Sequence, residues 1–152
     1  MTGVQTCALP IYIQSAIPDA RFVIVGRAPT AAVKALARPS VIVTGEVPDT
    51  RPWLAAASVV VAPLRIARGV QNKILEAMAM GRPCVVSANA AQGIDAADGR
   101  DFLIADDATD AVIALLHDDR RATAIGGAAR TRMVASYSWN AQLAPLAGYV
   151  GL

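Results

Sequence analysis

Short apolar runs alternate with longer segments of helical periodicity along most of the chain. Each apolar run ends near a glycine, a proline or another small residue, as buried strands commonly do. This alternation predicts an α/β fold in which a Rossmann-like parallel sheet is covered by flanking helices. The predicted strands span residues 22–26, 41–44, 58–62, 84–87 and 102–105. The predicted helices span residues 13–17, 29–37, 70–80, 108–117 and 120–137, with a short one near residue 50 and another after residue 139.

The loops that follow the strands are where a site is expected. Right-handed crossovers bring the carboxyl ends of parallel strands to one edge of the sheet. Ligands of open α/β sheets bind at that edge. The loops concerned are residues 26–29, 44–49, 63–69 and 87–93.

The helix predicted over residues 70–80 has two different faces. At about 100° per residue, Asn72, Lys73 and Glu76 share one third of its circumference. The opposite side is apolar and is expected to pack on the sheet. That side consists of Val70, Ile74, Leu75, Ala77 and Met78. Periodicity alone leaves two interpretations open, a binding face or a solvated polar stripe with one ion pair.

Three residues before this helix favour binding of a diphosphate. Arg65 and Arg68 supply positive charge, and Gly69 stands at the helix start. Free N–H groups and the helix dipole attract anions at that end. Because glycine has no Cβ, a ligand can approach its backbone closely. A carboxylate one to two turns into the helix, Glu76, is placed to accept hydrogen bonds from vicinal hydroxyls.

Composition excludes several other classes of protein. The net charge of +2 and the 5% aromatic content do not resemble a nucleic-acid-binding surface. The longest apolar run, residues 54–64, is too short to span a membrane. His117 is the sole histidine, and Cys7 and Cys84 lack metal-ligand spacing, which excludes a His/Cys zinc site made by this chain alone. Without a disulfide framework, a cytoplasmic setting is the default.

The motifs in this region resemble those of a known family. The signature region of family 4 glycosyltransferases, in the carboxyl-terminal domain of their GT-B fold, is similar to RGVQNKILEAMAMGRPCVV at residues 68–86. The exosortase-associated (PEP-CTERM) sugar transferases that make exopolysaccharide show a closer resemblance. It rests on TGEVPD at residues 44–49, APLRIARG at residues 62–69 and YSW at residues 137–139.

The resemblance implies an activity for the full-length parent. Members transfer a sugar from a nucleotide-diphosphate donor to a glycan or lipid-linked acceptor, with retention of configuration and without a metal or other cofactor. The acceptor would bind through an amino-terminal domain that this chain lacks, so the fragment alone is expected to be inactive. The parent is expected in the cytoplasm, with peripheral association at the inner face of the cytoplasmic membrane.

The same resemblance implies roles for individual residues. Glu76 matches the second glutamate of the family's paired-glutamate motif, which binds the ribose hydroxyls. Gly69 matches the glycine after the first glutamate, and the amides around it and Val70 would face the donor, beside Asn72. The first glutamate itself is replaced by Arg68, which puts in doubt how the donor sugar is held.

Three further residues are expected near the donor. Lys73 stands where relatives often carry a lysine and is assigned to the diphosphate, and Arg27 is within reach of it. The base is expected near Val47, held mainly by backbone groups.

The resemblance also predicts the boundaries of the domain. Residues 1–11 resemble the translation of a sequencing adapter, and residues 12–152 correspond to a truncated GT-B carboxyl-terminal domain. Strands of such domains lie in the order 3-2-1-4-5-6. The resemblance begins inside the helix that follows the first strand, so that central strand is expected to be missing.

Two alternative functions stay open. Nucleotide-sugar 2-epimerases share the architecture but would require additional acidic and histidine residues around the site. A degenerate, non-catalytic nucleotide-sugar-binding domain is the second alternative, and Arg68 is the reason to keep it. A Rossmann dehydrogenase is disfavoured because no strand is followed by G-x-G-x-x-G.

Overall fold

A computed structural model describes residues 4–67 and 69–150 of the chain. In chain order, its elements are α1 (Val4–Ala16), β1 (Phe22–Val25), α2 (Ala31–Lys34), β2 (Val41–Gly45), α3 (Arg51–Ala56), β3 (Val60–Ala62), α4 (Asn72–Ala79), β4 (Cys84–Val86), α5 (Ala88–Ala91), β5 (Leu103–Ile104), α6 (Thr109–His117), α7 (Asp119–Tyr137) and α8 (Trp139–Val150). The predicted α/β fold, with parallel strands and flanking helices, is therefore confirmed.

The five strands form two separate sheets. β1 pairs with β2 in parallel, and β3, β4 and β5 form a second parallel sheet with β4 in the middle. The expected strand order places one more strand between β1 and β3. Within the described ranges, no further strand pairs with the free edge of β1 or with the free edge of β3. The sheet predicted as one unit is thus present in two parts.

β4 is the centre of the hydrophobic core. All three of its residues are buried, and side chains alternate between the two faces of a strand. Cys84 and Val86 pack in one cluster with residues of α4 and α7. Val85 packs in a second cluster on the other face, with residues of α1, α6 and α7. Helices therefore cover both faces of this sheet.

α1 extends the predicted helix end at residues 13–17 towards the amino terminus. It runs through Pro10, and its buried side chains Leu9 and Ile13 pack in the cluster that contains Val85. Part of the stretch at residues 1–11 is therefore helical, and its origin stays a prediction. None of the helices in the described ranges combines the length and apolar character needed to cross a bilayer.

α4 ends at Ala79, is closed by a turn at Gly81 and is held at this end by α7. Gly81 has a left-handed backbone, with φ +68°, and the bonds from its N–H to Met78 and from the Arg82 N–H to Ala77 form a Schellman cap. From α7, Arg130 Nη1 donates a 2.9 Å hydrogen bond to the Ala79 carbonyl. The helix that carries the candidate site is thereby anchored at its carboxyl end.

The β1–β2 part of the chain is less firmly held than the β3–β4–β5 part. Among residues 17–61, all of them described, Val41 is the one buried residue. A side-chain bond from this part to α1 is exposed, between Arg38 Nη2 and Gln14 Oε1 at 3.1 Å. Because local stability follows buried apolar contact, this part should open at a lower free energy than the core.

We therefore expect faster hydrogen exchange in β1 and β2 than in β4. The amides of Phe22 and Gly26, which donate to the Ser40 and Gly45 carbonyls across the β1–β2 pairing, should exchange at least about tenfold faster than that of Val85, because they lie in the part with less buried surface. Native-state hydrogen exchange read by NMR measures this directly, with intrinsic rates corrected for sequence. Equal protection of the two sheets would show that they unfold as one cooperative unit.

Candidate functional site

The structure places the expected loops at the carboxyl ends of the strands. Residues 26–29 follow β1, residues 63–69 follow β3, and Ser87 follows β4 directly. The loop after β2 begins at its last residue, Gly45. Pairing within each sheet is parallel, so these ends share an edge of their own sheet. The loop after β3 leads into α4.

Gly69 has the geometry of a close-approach position. Its φ of +66° lies in the left-handed region, which favours glycine. No atom lies within 4 Å of the point where a Cβ would stand, so the space above its backbone is open. Its carbonyl accepts a 3.0 Å hydrogen bond from Gln71 Nε2. The backbone just before α4 is therefore fixed and accessible.

α4 presents the predicted polar face. Asn72, Lys73 and Glu76 are exposed, while Ile74, Ala77 and Met78 are buried. No hydrogen bond or ion pair joins the side chains of Lys73 and Glu76 to any described residue. The ion pair expected of a purely solvated stripe is not formed. Both charges are available to an external partner, and their binding roles stay predictions.

Val70 differs from the expectation that it packs on the sheet. α4 begins two residues later than predicted, so Val70 lies in the preceding loop, where it is 43% exposed. Its side chain lies close to Gly93, in the loop after α5, where an added Cβ would be 3.3 Å from Cγ2 of Val70. Gly69 has a left-handed backbone and Gln71 an extended one, with φ −89° and ψ 94°, so the first helical turn begins only at Asn72.

Two residues that the sequence reasoning missed hold the loop after β3. Ser87 Oγ donates a 2.6 Å hydrogen bond to the Leu64 carbonyl and accepts one from the Ala90 N–H. Asn89 Nδ2 donates a 2.6 Å bond to the carbonyl of Arg65. The loop that carries Arg65 is therefore tied to the loop after β4. A serine at the end of a predicted strand, in position to cap a short helix, was the available signal.

Two of the remaining predicted residues, Arg27 and Val47, lie in the loops after β1 and β2. Arg27 is exposed after β1, next to Ala28, which has a left-handed φ of +50°. Val47 is half-buried after β2. In the described residues, no hydrogen bond or ion pair links either of them to α4. Arg68 lies outside the described residues.

Neither a metal cluster nor a reactive thiol is found at this edge in the described ranges. No group of three or more His, Cys, Asp or Glu side chains there is arranged to hold a metal ion. Burial raises the pKa of the Cys84 thiol to about 12, so it stays protonated and unreactive at neutral pH. The charged side chains described near the start of α4 are those of Arg65, Lys73 and Glu76.

A sequence model of the glycosyl transferases group 1 family matches residues 6–118. The chain belongs to this family. Among curated proteins, none matches the sequence significantly.

Several solved structures share the fold of this group 1 domain. Anabaena Alr3699/HepE in complex with UDP is 17% identical with a TM-score of 0.75, and the match covers 96% of this chain and 45% of that one. The same protein in complex with UDP and glucose is 18% identical with a TM-score of 0.76, covering 97% and 44%. Sucrose-phosphate synthase (tll1590) from Thermosynechococcus elongatus is 21% identical with a TM-score of 0.74, covering 97% and 43%.

These likenesses confirm the GT-B type of α/β fold for the group 1 domain. The chain spans less than half the length of each of these neighbours.

Proposed function

We propose that this domain binds a nucleoside-diphosphate sugar, and that the protein containing it transfers the sugar to a glycan or lipid-linked acceptor. The open, left-handed Gly69 at the amino end of α4 carries the proposal, because it offers backbone amides beside the unpaired Lys73 and Glu76. Transfer with retention, in exopolysaccharide synthesis at the inner face of the cytoplasmic membrane, is the role that the sequence motifs favour.

In the proposed donor site, the diphosphate and the ribose of the nucleotide contact different protein groups. The diphosphate meets the free N–H groups at the start of α4, whose dipole favours anions, and the ammonium of Lys73. Arg65 and Arg68 add positive charge along the preceding loop. With these cations the diphosphate charge is balanced by protein groups, which supports binding without a metal ion.

The ribose is assigned to Glu76. Its exposed carboxylate lies one turn further along α4 than Lys73 and has no described partner. A carboxylate accepts two hydrogen bonds well, and a ribose presents two adjacent hydroxyls as donors. The complexes of Alr3699/HepE with UDP support uridine as a base to test first.

Titration calorimetry of the chain with UDP, GDP and ADP tests the proposal. Lys73→Ala should weaken binding of the preferred nucleotide by about ten- to a hundredfold, because a charge-assisted contact contributes about 1.5–3 kcal/mol. Lys34→Ala, which removes the other, equally exposed lysine, is the matched control and should leave affinity unchanged.

Absence of binding by all three nucleotides, or equal effects of the two lysine substitutions, would contradict the proposed site. Arg68 stands where the family motif has its first glutamate, and this difference favours a second candidate function: a degenerate domain that binds the nucleotide without transferring the sugar. A full-length parent that binds UDP but releases no sugar from a UDP-sugar with any acceptor would identify it.

A further inference from the structure

A network of charged and polar groups joins the loop between α5 and β5 to α7. Its centre is Asp101, which is 1% exposed. The Asp101 carboxylate accepts hydrogen bonds from the Ala97 N–H at 2.9 Å and from the Arg100 side chain at 2.9 and 3.0 Å. From α7, Arg132 reaches the same carboxylate, with 3.5 Å between its Nε and Asp101 Oδ2. The end of the loop nearer to β5 is thereby fixed to α7.

The same arginine also holds the part of the loop nearer to α5. Arg132 Nη1 lies 3.6 Å from Asp95 Oδ2. The Asp95 N–H donates a 2.7 Å hydrogen bond to the hydroxyl of Tyr137, the last residue of α7. Asp95 and Tyr137 are 42 positions apart in the sequence. These contacts therefore fix where the whole loop lies and do not merely close a local turn.

The loop held in this way supports the segment before α4. Gly93 has a φ of +79°, and a Cβ there would lie 3.3 Å from Cγ2 of Val70. Val70 directly follows Gly69 in the loop that leads into α4. Ile94, the next residue after Gly93, is buried in the same cluster as Met133 of α7. The backbone at Gly93 thus lies against the segment whose N–H groups are proposed to meet the diphosphate.

α7 consequently supports α4 at both ends. At the carboxyl end the contact is direct, through Gly126 and through the bond from Arg130 to the Ala79 carbonyl. At the amino end the support passes from Arg132 and Tyr137 through the loop after α5. α7 can serve as a fixed frame because its buried residues are spread along the helix and pack in both core clusters.

We propose that Arg132 and Tyr137 are positioning residues for the nucleoside diphosphate. They hold the loop after α5 against Val70, and so keep the backbone N–H groups before α4 in the arrangement that receives the diphosphate. Without these contacts, the loop would have to be ordered at the moment of binding, and that ordering lowers affinity. The inference rests on the proposed nucleotide site and explains how two residues outside it act on it.

Tyr137→Phe tests this role without a change of charge. The substitution removes the hydroxyl that receives the Asp95 N–H and keeps the ring packed against the core. Affinity for UDP should fall about threefold, measured by titration calorimetry at a temperature where circular dichroism shows both chains folded. A merely structural role would lower the midpoint of thermal unfolding and leave the affinity of the folded chain unchanged. Thr131→Val removes an exposed hydroxyl of α7 outside the network and should not change affinity.

Arg132→Lys tests the bridge between the two carboxylates. Lysine keeps the positive charge but has one compact ammonium in place of the planar fork that reaches both Asp95 and Asp101. Affinity for UDP should therefore fall about three- to tenfold, although long-range attraction of the diphosphate is preserved. Arg121→Lys, at an exposed position on the same helix, is the matched control and should bind UDP as the wild type does.

The outcomes separate this inference from the proposed function. If UDP binds equally tightly to the wild type, Tyr137→Phe and Arg132→Lys, the positioning role is overturned and the nucleotide site stands. Losses of affinity that the two control substitutions reproduce overturn it as well. A wild-type chain that binds none of UDP, GDP and ADP overturns the proposed function, and the positioning role with it.

Discussion

Replacing Gly126 with alanine should lower the free energy of unfolding by about 3 kcal/mol, the upper end of what overpacking costs. Gly126 is buried in α7, where that helix meets the turn after α4. A Cβ at this position would lie 3.0 Å from the carbonyl carbon of Gly81 and closer still to its oxygen. It would also lie 3.4 Å from the nitrogen of Pro83. These are backbone atoms, which cannot rotate away, so α7 would have to move from α4.

The neighbouring glycine supplies a matched control. A Cβ on Gly127 would meet no atom within 4 Å, so alanine there adds no contact. It should stabilise the helix by about 0.5–1 kcal/mol, because glycine is a poor helix former. Urea denaturation followed by circular dichroism gives both values. A similar, small effect of the two substitutions would show that α7 does not approach Gly81 as closely as the structure has it.

Replacing Glu76 with alanine should raise the dissociation constant for UDP by about tenfold or more. The expected loss is that of hydrogen bonds from two ribose hydroxyls to a charged acceptor, about 1.5–3 kcal/mol. The fold should be unaffected, because the Glu76 side chain is exposed and alanine is the best helix former. Titration calorimetry at fixed ionic strength measures the change.

2′-Deoxy-UDP makes this test specific to the ribose. The wild-type chain should bind it several-fold more weakly than UDP, since one hydroxyl donor is removed. The Glu76→Ala variant should bind the two nucleotides equally, because the acceptor is already gone. This is a double-mutant cycle between protein and ligand. Equal discrimination by both proteins would refute the assignment of Glu76, even if its removal weakened binding for another reason.

The sequence predicted the strands and the polarity of α4 well, because both depend on local patterns. Apolar runs such as residues 84–86 form buried strands wherever helices cover both faces, and helical periodicity separates Glu76 from Ile74 whatever packs behind it. The family motif then identified the segment around Gly69. These features need no knowledge of distant residues.

The parts that the sequence did not predict depend on contacts between distant segments. The hydrogen bond from Asn89 to the Arg65 carbonyl joins residues 24 positions apart, and nothing in either segment marks it. A cleft at the carboxyl ends of β3, β4 and β5, lined by Asp106 and by Tyr12 of α1, forms only when these three strands and α1 pack together. α4 begins at Asn72 and not at Val70, as predicted, because a left-handed turn at Gly69 precedes it. Helical periodicity does not reveal such a turn.

The division of the strands into two sheets has a consequence for how the chain behaves in solution. Among the described residues, β1 and β3 each pair with a strand on one side only, so each leaves a row of backbone N–H and C=O groups without a strand partner. Such rows are templates for another copy of the chain. We therefore expect the chain to self-associate through these edges as its concentration rises. A short peptide of alternating β-branched residues, added during purification, should compete for them and keep the chain monomeric.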